Sequence, residues 1–398
     1  MNIDFLKQTN RIDMRGYENK NFYIPIELRY TAIEEGIIVP GVYYGDSMTA
    51  GVMDSEGNLD AKSTYNELQF KGRKLPKLKA IYKPKKAVFL GTFFNIWGHA
   101  ITEGLNKVWF TATSEFRNLQ NSGADFVYVT VDNKKLPEYT RRILLLAGFD
   151  ISSAIHITEP VQYDEVIVPD NSFIQKEDGR YYTSEYLETI KKIKDTITSN
   201  NGSKKTAEKL YFTRTHLKCR KDMGEGEIET LFKSEGYEIV APEENEVEHN
   251  IYMLMNCEAF AATEGSVSQN SIFCNPDTKV TIIRKGNFYN TYQLALCDAA
   301  KVNAIYVDAH HSSMISKERP WDGPFYVCIT KEMEKYFGKK IKHRAFWIKP
   351  DYWEYIISAE SKKAGTAIKK FIKQSLHMDY KDKVILRSDS ILKEVVSL

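Results

Sequence analysis

Basic side chains cluster in one short loop of the sequence and would suit a phosphate ligand. The predicted strand over 209–213 is followed by five of them: Arg214, His216, Lys218, Arg220 and Lys221. Arginine contacts phosphate oxygens with two parallel N–H groups, so a diphosphate fits this loop well. A charged turn in contact with solvent is the alternative interpretation. We expect Arg214 and Arg220 to contact the phosphates.

A second candidate loop, Thr263-Glu264-Gly265-Ser266, precedes a predicted helix over 267–273. Glycine lets the backbone approach a ligand closely, and the N–H groups of a helix N-terminus favour anions. Ser266 could equally be only a helix N-cap. Glu264 does not suit a phosphate, because two negative charges repel each other. We expect it to bind a ribose or sugar hydroxyl, to act in catalysis, or to pair with Arg214.

The elements around these loops alternate regularly. Strands are predicted over 209–213, 237–240, 259–262, 280–283 and 304–307, with helices over 226–234, 247–255, 267–273 and 290–300. Strands that alternate with helices over short connections predict βαβ units and a parallel sheet. Such sheets bind ligands at the carboxyl ends of their strands, where both loops lie. The loop over 241–245 would then border the nucleobase of a bound nucleotide, and Glu243 would contact that nucleobase.

The first half of the chain has a less regular pattern. Residues 1–85 combine short strands with turns, and an α/β pattern starts at Lys86, with a predicted helix over 98–116. A polar linker over 199–205 predicts a domain boundary. The expected organisation is an N-terminal α/β domain, a second α/β domain that binds a phosphate-bearing ligand, and a helical tail, over 1–200, 201–330 and 331–398.

Composition excludes several classes of protein. The 398 residues carry 55 basic and 53 acidic side chains, and a net charge of +2 argues against a dedicated nucleic-acid binder. The five cysteines show no metal-binding spacing, which favours a reduced cytoplasm. No stretch approaches the roughly 20 apolar residues that span a bilayer. The N-terminus also lacks the apolar run of a signal peptide.

Several stretches resemble the glycosyltransferase 61 family. They are Asn95-Ile96-Trp97-Gly98-His99-Ala100-Ile101-Thr102-Glu103, Arg141-Arg142-Ile143-Leu144-Leu145-Leu146-Ala147-Gly148-Phe149, Leu210-Tyr211-Phe212-Thr213-Arg214, Gly236-Tyr237-Glu238-Ile239-Val240 with Pro242-Glu243, Thr263-Glu264-Gly265-Ser266-Val267-Ser268-Gln269-Asn270, and Pro276-Asp277-Thr278-Lys279-Val280. The family includes plant xylosyltransferases, animal protein O-linked N-acetylglucosaminyltransferases and bacterial proteins of capsule and surface-polysaccharide clusters. Two departures stand out: Glu264 replaces a histidine that many members have, and one extra residue separates Asn95 from His99.

The resemblance implies a GT-B-like fold, in which two Rossmann-like α/β domains face a cleft and a C-terminal helical tail packs back on the N-terminal domain. The N-terminal domain, 1–200, would present the acceptor, and the second domain, 201–330, would bind the nucleotide sugar. It implies inverting transfer of a hexosyl, pentosyl or N-acetylhexosaminyl unit from a nucleotide sugar, with a UDP-sugar as the expected donor. The acceptor would be a hydroxyl of a glycan or lipid-linked oligosaccharide in capsule or surface-polysaccharide synthesis. No metal or other cofactor is expected, because basic side chains and a helix N-terminus can stabilise the leaving diphosphate.

The resemblance also implies roles for individual residues. Inverting transfer needs a general base for the acceptor hydroxyl. His99 and Glu103 would lie on one helix face, so either could be the base and the other its orienting partner. A His–Glu pair that only stabilises the domain interface is the alternative. Glu264 is a third catalytic candidate. The expected nucleotide-sugar contacts are Arg214, Arg220, Gly265, Ser266, Asn270 and Glu243, and the expected acceptor-side residues are Asn95 and Trp97.

Two other functions stay open at this point. A nicotinamide-dependent Rossmann enzyme lacks support, because the first loop is basic and has no Gly-x-Gly-x-x-Gly motif. A non-catalytic glycan-binding protein on a transferase fold is compatible with the Glu264 departure. The segment 361–377 is basic and amphipathic. It would either pack against the first domain or lie on the anionic inner face of the membrane.

Overall fold

The computed structural model describes residues 3–6, 20–41, 49–200, 207–217, 222–286, 288, 290–310, 323–343, 345, 349–358, 361 and 364–365. The strands in this part of the chain are β1 (Ile3–Leu6), β2 (Tyr30–Glu34), β3 (Ile37–Val39), β4 (Gly51–Met53), β5 (Ile81–Phe93), β6 (Asp125–Thr130), β7 (Ile155–His156), β8 (Val161–Pro169), β9 (Phe173–Lys176), β10 (Gly179–Tyr182), β11 (Lys209–Phe212), β12 (Asp222–Met223), β13 (Glu238–Val240), β14 (Ala259–Thr263), β15 (Lys279–Arg284), β16 (Asn303–Asp308) and β17 (Phe325–Tyr326). The α-helices are α1 (Glu67–Phe70), α2 (Trp97–Ile101), α3 (Ser114–Asn121), α4 (Glu138–Leu146), α5 (Ser184–Asn200), α6 (Glu225–Ser234), α7 (Val247–Asn256), α8 (Thr291–Ala300) and α9 (Lys331–Phe337).

The second half of the chain contains the predicted parallel sheet. Its strand order is β13-β11-β14-β15-β16-β1, and every pair is parallel. Apolar side chains of α6 and α9 cover one face, and those of α7 and α8 cover the other. The chain therefore changes face between β11 and β14. Ligands bind at such switch points in open α/β sheets, so the loops after these two strands are the expected site.

One strand of this sheet comes from the other end of the described chain. β1 lies parallel to β16, with Ile3 opposite Ala304 and Leu6 opposite Val307. The predicted first domain over 1–200 is therefore wrong at this point. Pairing satisfies the backbone N–H and C=O groups along the outer side of β16, which an edge strand would leave open.

The sheet of the first half is mixed. Its order is β4-β3-β8-β5-β6-β7, and β2 also pairs with β8. The strands β5, β6, β7 and β8 run parallel, whereas β2, β3 and β4 pair in antiparallel fashion. This half is α/β as expected, but its antiparallel strands depart from the doubly wound Rossmann pattern.

The predicted helix over 98–116 is broken into shorter pieces. Helix α2 ends at Ile101, and 3-10 turns follow at Glu103–Leu105 and Val108–Ala112. The break occurs at Thr102, whose ψ of −91° is not helical. Its hydroxyl donates to the Gly98 carbonyl at 2.8 Å, which replaces a helical backbone contact by a side-chain one.

The two halves share one apolar core. Buried side chains of α4, α5, α7 and α8 form a single cluster that includes Leu144, Ile193, Ile251 and Leu294. Full burial of each such side chain contributes about 1.5–3 kcal/mol. The two sheets are therefore joined by an apolar helical layer.

The described part of the tail does not pack on the first half as predicted. Phe337 of α9 lies 5.2 Å from Phe232 of α6, measured between ring centroids. The helix over 350–358 packs Tyr355 on Tyr326 at 6.0 Å. Both helices cover apolar surface of the second half, which explains the difference. Of the segment 361–377, all but residues 361, 364 and 365 lie outside the described residues. Within the described chain, no helix has the length and apolar character needed to cross a membrane.

Candidate active site

His99 and Glu103 form a hydrogen-bonded pair, although they do not share one α-helix. His99 Nδ1 lies 3.0 Å from Glu103 Oε2. The Glu103 carboxylate also accepts hydrogen bonds from Gln175 Nε2 at 2.9 Å and from the Tyr292 hydroxyl, and the Thr102 hydroxyl lies beside it. Tyr292 belongs to the first turn of α8. The cluster therefore connects the first half of the chain with the second.

The surroundings of this pair give its members different properties. Burial opposes ionisation of Glu103, but His99 and the hydroxyl donors outweigh it and hold the pKa of Glu103 below its usual value. Burial and the Glu103 charge raise the pKa of Tyr292 well above its usual value, so this hydroxyl stays a donor. The side chain of His99 is 26% exposed and that of Glu103 only 5%. His99 is therefore the member that a substrate could reach.

Aromatic rings hold the His99 side chain in place. The rings of Phe94, Tyr65 and Tyr292 contact it edge to face, at centroid distances of 4.9, 6.2 and 6.0 Å. Because Nδ1 faces the ionised Glu103, it is the protonated nitrogen of the neutral ring. Nε2 then carries the lone pair. The arrangement can accept a proton at Nε2 while Glu103 stabilises the resulting imidazolium.

The backbone around His99 touches the loop after β14. A Cβ atom on Gly98 would lie 2.0 Å from Gln269 Oε1 and 3.0 Å from Ser266 Oγ. Next to it, Trp97 Nε1 donates to Asn270 Oδ1 at 3.0 Å. Residues predicted to face the acceptor and residues predicted to bind the donor are thus in direct contact. Asn270 itself is buried and connects the two halves.

A cationic cluster lies at the carboxyl edge of the parallel sheet. Arg214 Nη1 is 3.1 Å from Asp222 Oδ2, and Lys285 Nζ is 3.0 Å from Asp222 Oδ1. A Cβ atom on Gly265, whose φ is +134°, would lie 3.5 Å from Lys285 Nζ and 3.6 Å from Arg214 Nη1. Two cations share one buried carboxylate, so these three side chains together carry one positive charge. Glycine leaves the space beside it open to an anion.

Lys285 is not among the residues predicted from the sequence. It follows β15 directly, as Arg214 follows closely after β11. Basic residues after the predicted strand over 209–213 were interpreted as phosphate ligands. The same reasoning, applied to the predicted strand over 280–283, identifies Lys285. Asp222 and Glu225 were also missed, and no spacing in the sequence marks them.

Glu225 anchors the loop that carries Arg214. Its fully buried carboxylate accepts the Tyr211 hydroxyl at 3.1 Å and the Arg214 backbone N–H at 3.3 Å. Burial, followed by the nearby Asp222 charge, raises the pKa of Glu225 to about 7. The Arg214 backbone is therefore held by a carboxyl group that exchanges its proton near neutral pH.

Glu264 is buried behind the loop instead of facing open space. Its exposure is 0%, and its Oε1 accepts the backbone N–H of Asn290 at 3.2 Å. Burial raises the pKa of Glu264 to about 7, although the Arg284 guanidinium opposes the shift. Arg214 pairs with Asp222, as described above. The structure thus places Glu264 against the start of α8.

The expected helix N-terminus after Gly265 takes a different form. A 3-10 helix, Ser268–Phe273, follows the loop, and Gly265 N–H donates to Ser268 Oγ at 3.1 Å. The Gly265 N–H group therefore already has a partner within the loop, and contact between Gly265 and the donor stays a prediction. Ser266 is half-buried beside Gly98. The cations described above supply the positive charge instead.

Two of the remaining predicted residues, Asn95 and Glu243, lie apart from these contacts. Asn95 Nδ2 donates to both carboxylate oxygens of Asp132 at 3.0 Å. Glu243 is exposed in a 3-10 turn, Pro242–Glu244. Arg220 lies outside the described residues. Across the described chain, histidine, cysteine and acidic side chains form no group of three that could hold a metal ion.

Comparison with known proteins supports the motifs. The family model described as Glycosyltransferase 61 matches residues 97–281, a span that includes His99, Arg214 and Gly265. No curated protein sequence matches the chain significantly. The resemblance to this family is confirmed over the matched residues.

Proposed function

We infer the function of this chain from the match of residues 97–281 to the glycosyltransferase 61 family. We propose that it is an inverting glycosyltransferase that moves a hexosyl, pentosyl or N-acetylhexosaminyl unit from a nucleotide sugar, expected to be a UDP-sugar. The acceptor is a hydroxyl of a glycan or lipid-linked oligosaccharide. One observation carries the proposal: helix α2, which holds His99, touches the loop that lies beside Arg214 and Lys285.

In this proposal the two halves act as the domains of a GT-B-like enzyme. The second half binds the donor at its switch point, and the first half presents the acceptor. We place the reaction in the cytoplasm, in capsule or surface-polysaccharide synthesis. The shared helical core supports a site with a fixed geometry, because packed cores resist small displacements.

His99 is the proposed general base. Its Nε2 removes the proton of the acceptor hydroxyl while that oxygen bonds to the anomeric carbon of the donor sugar. The bond between this carbon and the phosphate oxygen breaks on the opposite face, which inverts the anomeric configuration. Glu103 stays ionised throughout and stabilises the imidazolium, as a buried carboxylate does beside a catalytic histidine. Glu103 is therefore a positioning residue.

Arg214 and Lys285 are the proposed partners of the leaving diphosphate. Both side chains reach to within 4 Å of the point where a Cβ atom on Gly265 would lie. Because glycine has no side chain, a phosphate can occupy this space and contact both cations. The negative charge on the diphosphate increases as the sugar bond breaks, so fixed cations stabilise the transition state more than the ground state. Donor binding competes with Asp222 for the Arg214 guanidinium.

A thermal-shift screen tests the donor assignment. UDP-, GDP- and CMP-sugars and NAD are added separately, and we expect one class of nucleotide sugar to raise the melting temperature. A shift with NAD alone contradicts the proposal and supports a nicotinamide enzyme. Release of the nucleoside diphosphate is then measured with that donor, and nuclear magnetic resonance of the product shows whether the anomeric configuration is inverted.

A matched pair of histidine variants tests the base. His99→Ala should lower turnover about 100- to 10,000-fold and keep donor binding. His156→Ala serves as the control, because His156 stacks on Tyr128 in the first sheet, away from Glu103. Equal turnover in the two variants contradicts the assignment. A wild-type protein that binds a donor and never turns it over would instead be a glycan-binding protein.

A further inference from the structure

Arg180 is a partly buried cation next to the proposed reaction site. It lies on the hairpin of β9 and β10, directly opposite Gln175 in the strand register. Its guanidinium carbon lies 4.6 Å from the centre of the Tyr292 ring. Gln175 and Tyr292 both donate to the Glu103 carboxylate. Arg180 is therefore one contact away from the groups that hold His99.

Arg180 forms no ion pair with a carboxylate of the described residues, although its guanidinium also interacts with the Tyr292 hydroxyl. Its Nη1 donates to the neighbouring Gly179 carbonyl at 3.3 Å, and its buried Nε has no hydrogen-bond partner. No carboxylate among the described residues lies within 4 Å of it. Three other partly or fully buried arginines each pair with a carboxylate: Arg142 with Glu248, Arg214 with Asp222 and Arg284 with Asp308.

Removing a charge from water without a partner is costly. The Tyr292 ring offsets only part of this cost, since a cation–π contact is weaker than a buried ion pair. The contact with the Tyr292 ring and the hydrogen bond to the Gly179 carbonyl restrict the movement of the planar guanidinium. A planar fork of this kind matches the two oxygens of a carboxylate or phosphate.

Arg180 is separate from the cluster assigned to the donor. Arg214 and Lys285 contact Asp222 and border Gly265, all in the second half. Arg180 belongs to the first half, which presents the acceptor in the proposed function. The site thus carries two cationic groups, and the donor diphosphate accounts for only one of them.

We propose that Arg180 binds an anionic group of the acceptor, a carboxylate or a phosphate close to the hydroxyl that receives the sugar. This inference rests on the proposed function. An acidic acceptor pairs with the guanidinium, whereas a neutral sugar leaves it without a counter-charge. Arg180 therefore selects acidic acceptors over neutral ones of the same shape.

Three matched probes test the inference: phenyl β-D-glucoside, phenyl β-D-glucuronide and phenyl β-D-glucoside 6-phosphate. Their binding is measured by titration calorimetry in the presence of the nucleoside diphosphate identified by the thermal screen. We expect at least one acidic probe to bind roughly 10- to 100-fold more tightly than the glucoside, as for other hydrogen bonds between charged groups. The glucuronide and the phosphate separate the two sources of negative charge.

Variants of Arg180 distinguish a loss of preference for acidic probes from a general loss of folded protein. Arg180→Gln should lose the acidic preference and keep its affinity for the nucleoside diphosphate, and Arg180→Lys should retain part of the preference. Lys279→Gln is the control: Lys279 also lies over an aromatic ring, that of Tyr336 at 5.2 Å, but at the amino end of β15. It should behave like the wild type.

Two results would overturn the inference alone: nucleotide binding without any acidic preference, or an acidic preference that persists in Arg180→Gln. Absence of nucleotide binding would contradict the proposed function together with this inference.

Discussion

Glutamine at position 103 should inactivate the enzyme while leaving it folded. Glutamine has the same size as glutamate, and its Oε1 can accept from Gln175 and Tyr292 as the carboxylate does. Its amide nitrogen must then face His99 and Thr102, where it donates instead of accepting. His99 can keep a hydrogen bond only by moving its proton from Nδ1 to Nε2. The atom that should accept the hydroxyl proton is then already protonated.

The expected magnitudes differ for rate and for stability. General-base catalysis contributes about 100- to 10,000-fold to the rate, so kcat of Glu103→Gln should fall by this factor. That loss corresponds to about 3–5 kcal/mol of activation free energy. The free energy of unfolding should fall by only about 1–3 kcal/mol, the cost of one buried donor left without an acceptor. The Kd for the nucleotide sugar should not change.

Release of the nucleoside diphosphate measures the rate, and urea unfolding measures the stability. Glu332→Gln provides the control, because Glu332 is only 4% exposed and lies on α9, on the outer face of the second sheet. It should lose some stability and keep its kcat. A kcat for Glu103→Gln within about threefold of the wild type would refute the proposed proton transfer, since general-base loss costs far more.

Three further predictions concern the donor loop and its neighbours. Arg214→Ala and Lys285→Ala should each weaken nucleotide-sugar binding roughly 10- to 100-fold in titration calorimetry; an unchanged Kd in both would contradict the diphosphate assignment. Folding raises the pKa of Glu264 from 4.5 to about 7, so its ionisation lowers stability as the pH rises between these values. Glu264→Gln should therefore add about 1–3 kcal/mol to the unfolding free energy at pH 8 and little below pH 4.5. Equal gains at the two pH values would contradict a raised pKa of Glu264. Gly98→Ala places a Cβ atom 2.0 Å from a buried amide oxygen and should cost about 1–3 kcal/mol in urea unfolding, with a lower kcat. Gly226→Ala is the control, because a Cβ atom on this glycine of α6 would have nothing within 4 Å. It should stabilise the protein by about 0.5–1 kcal/mol at unchanged kcat. Equal effects of the two alanine substitutions would contradict the close contact between Gly98 and Gln269.

The second half of the chain could be predicted closely from sequence. Its strands and helices are short and strongly patterned, and the predicted strand over 280–283 corresponds to Lys279–Arg284. Local periodicity is sufficient there because each βαβ unit forms among neighbouring segments. The loops at the carboxyl edge followed from the same pattern, and Arg214 lies in one of them.

The parts of the site that depend on distant contacts could not be predicted. Tyr292 and Gln175 meet at Glu103 from elements far apart in the chain, and no spacing encodes such a meeting. The helix that was expected to carry both His99 and Glu103 ends between them. The helix ends at this point because the Thr102 hydroxyl donates to the Gly98 carbonyl in place of a backbone N–H. The spacing of apolar residues gives no information on such side-chain hydrogen bonds.

The pairing of β1 with β16 has a consequence for synthesis of the protein. Roughly 300 residues separate the two strands along the chain. At about 5–20 residues per second, a ribosome needs roughly 15–60 s to pass from one to the other. Throughout that interval Ile3–Leu6 has no partner in its own sheet, and β16 is an open edge when it first emerges. A four-residue strand is a poor template for other chains, so its shortness protects the nascent polypeptide until the sheet can be completed.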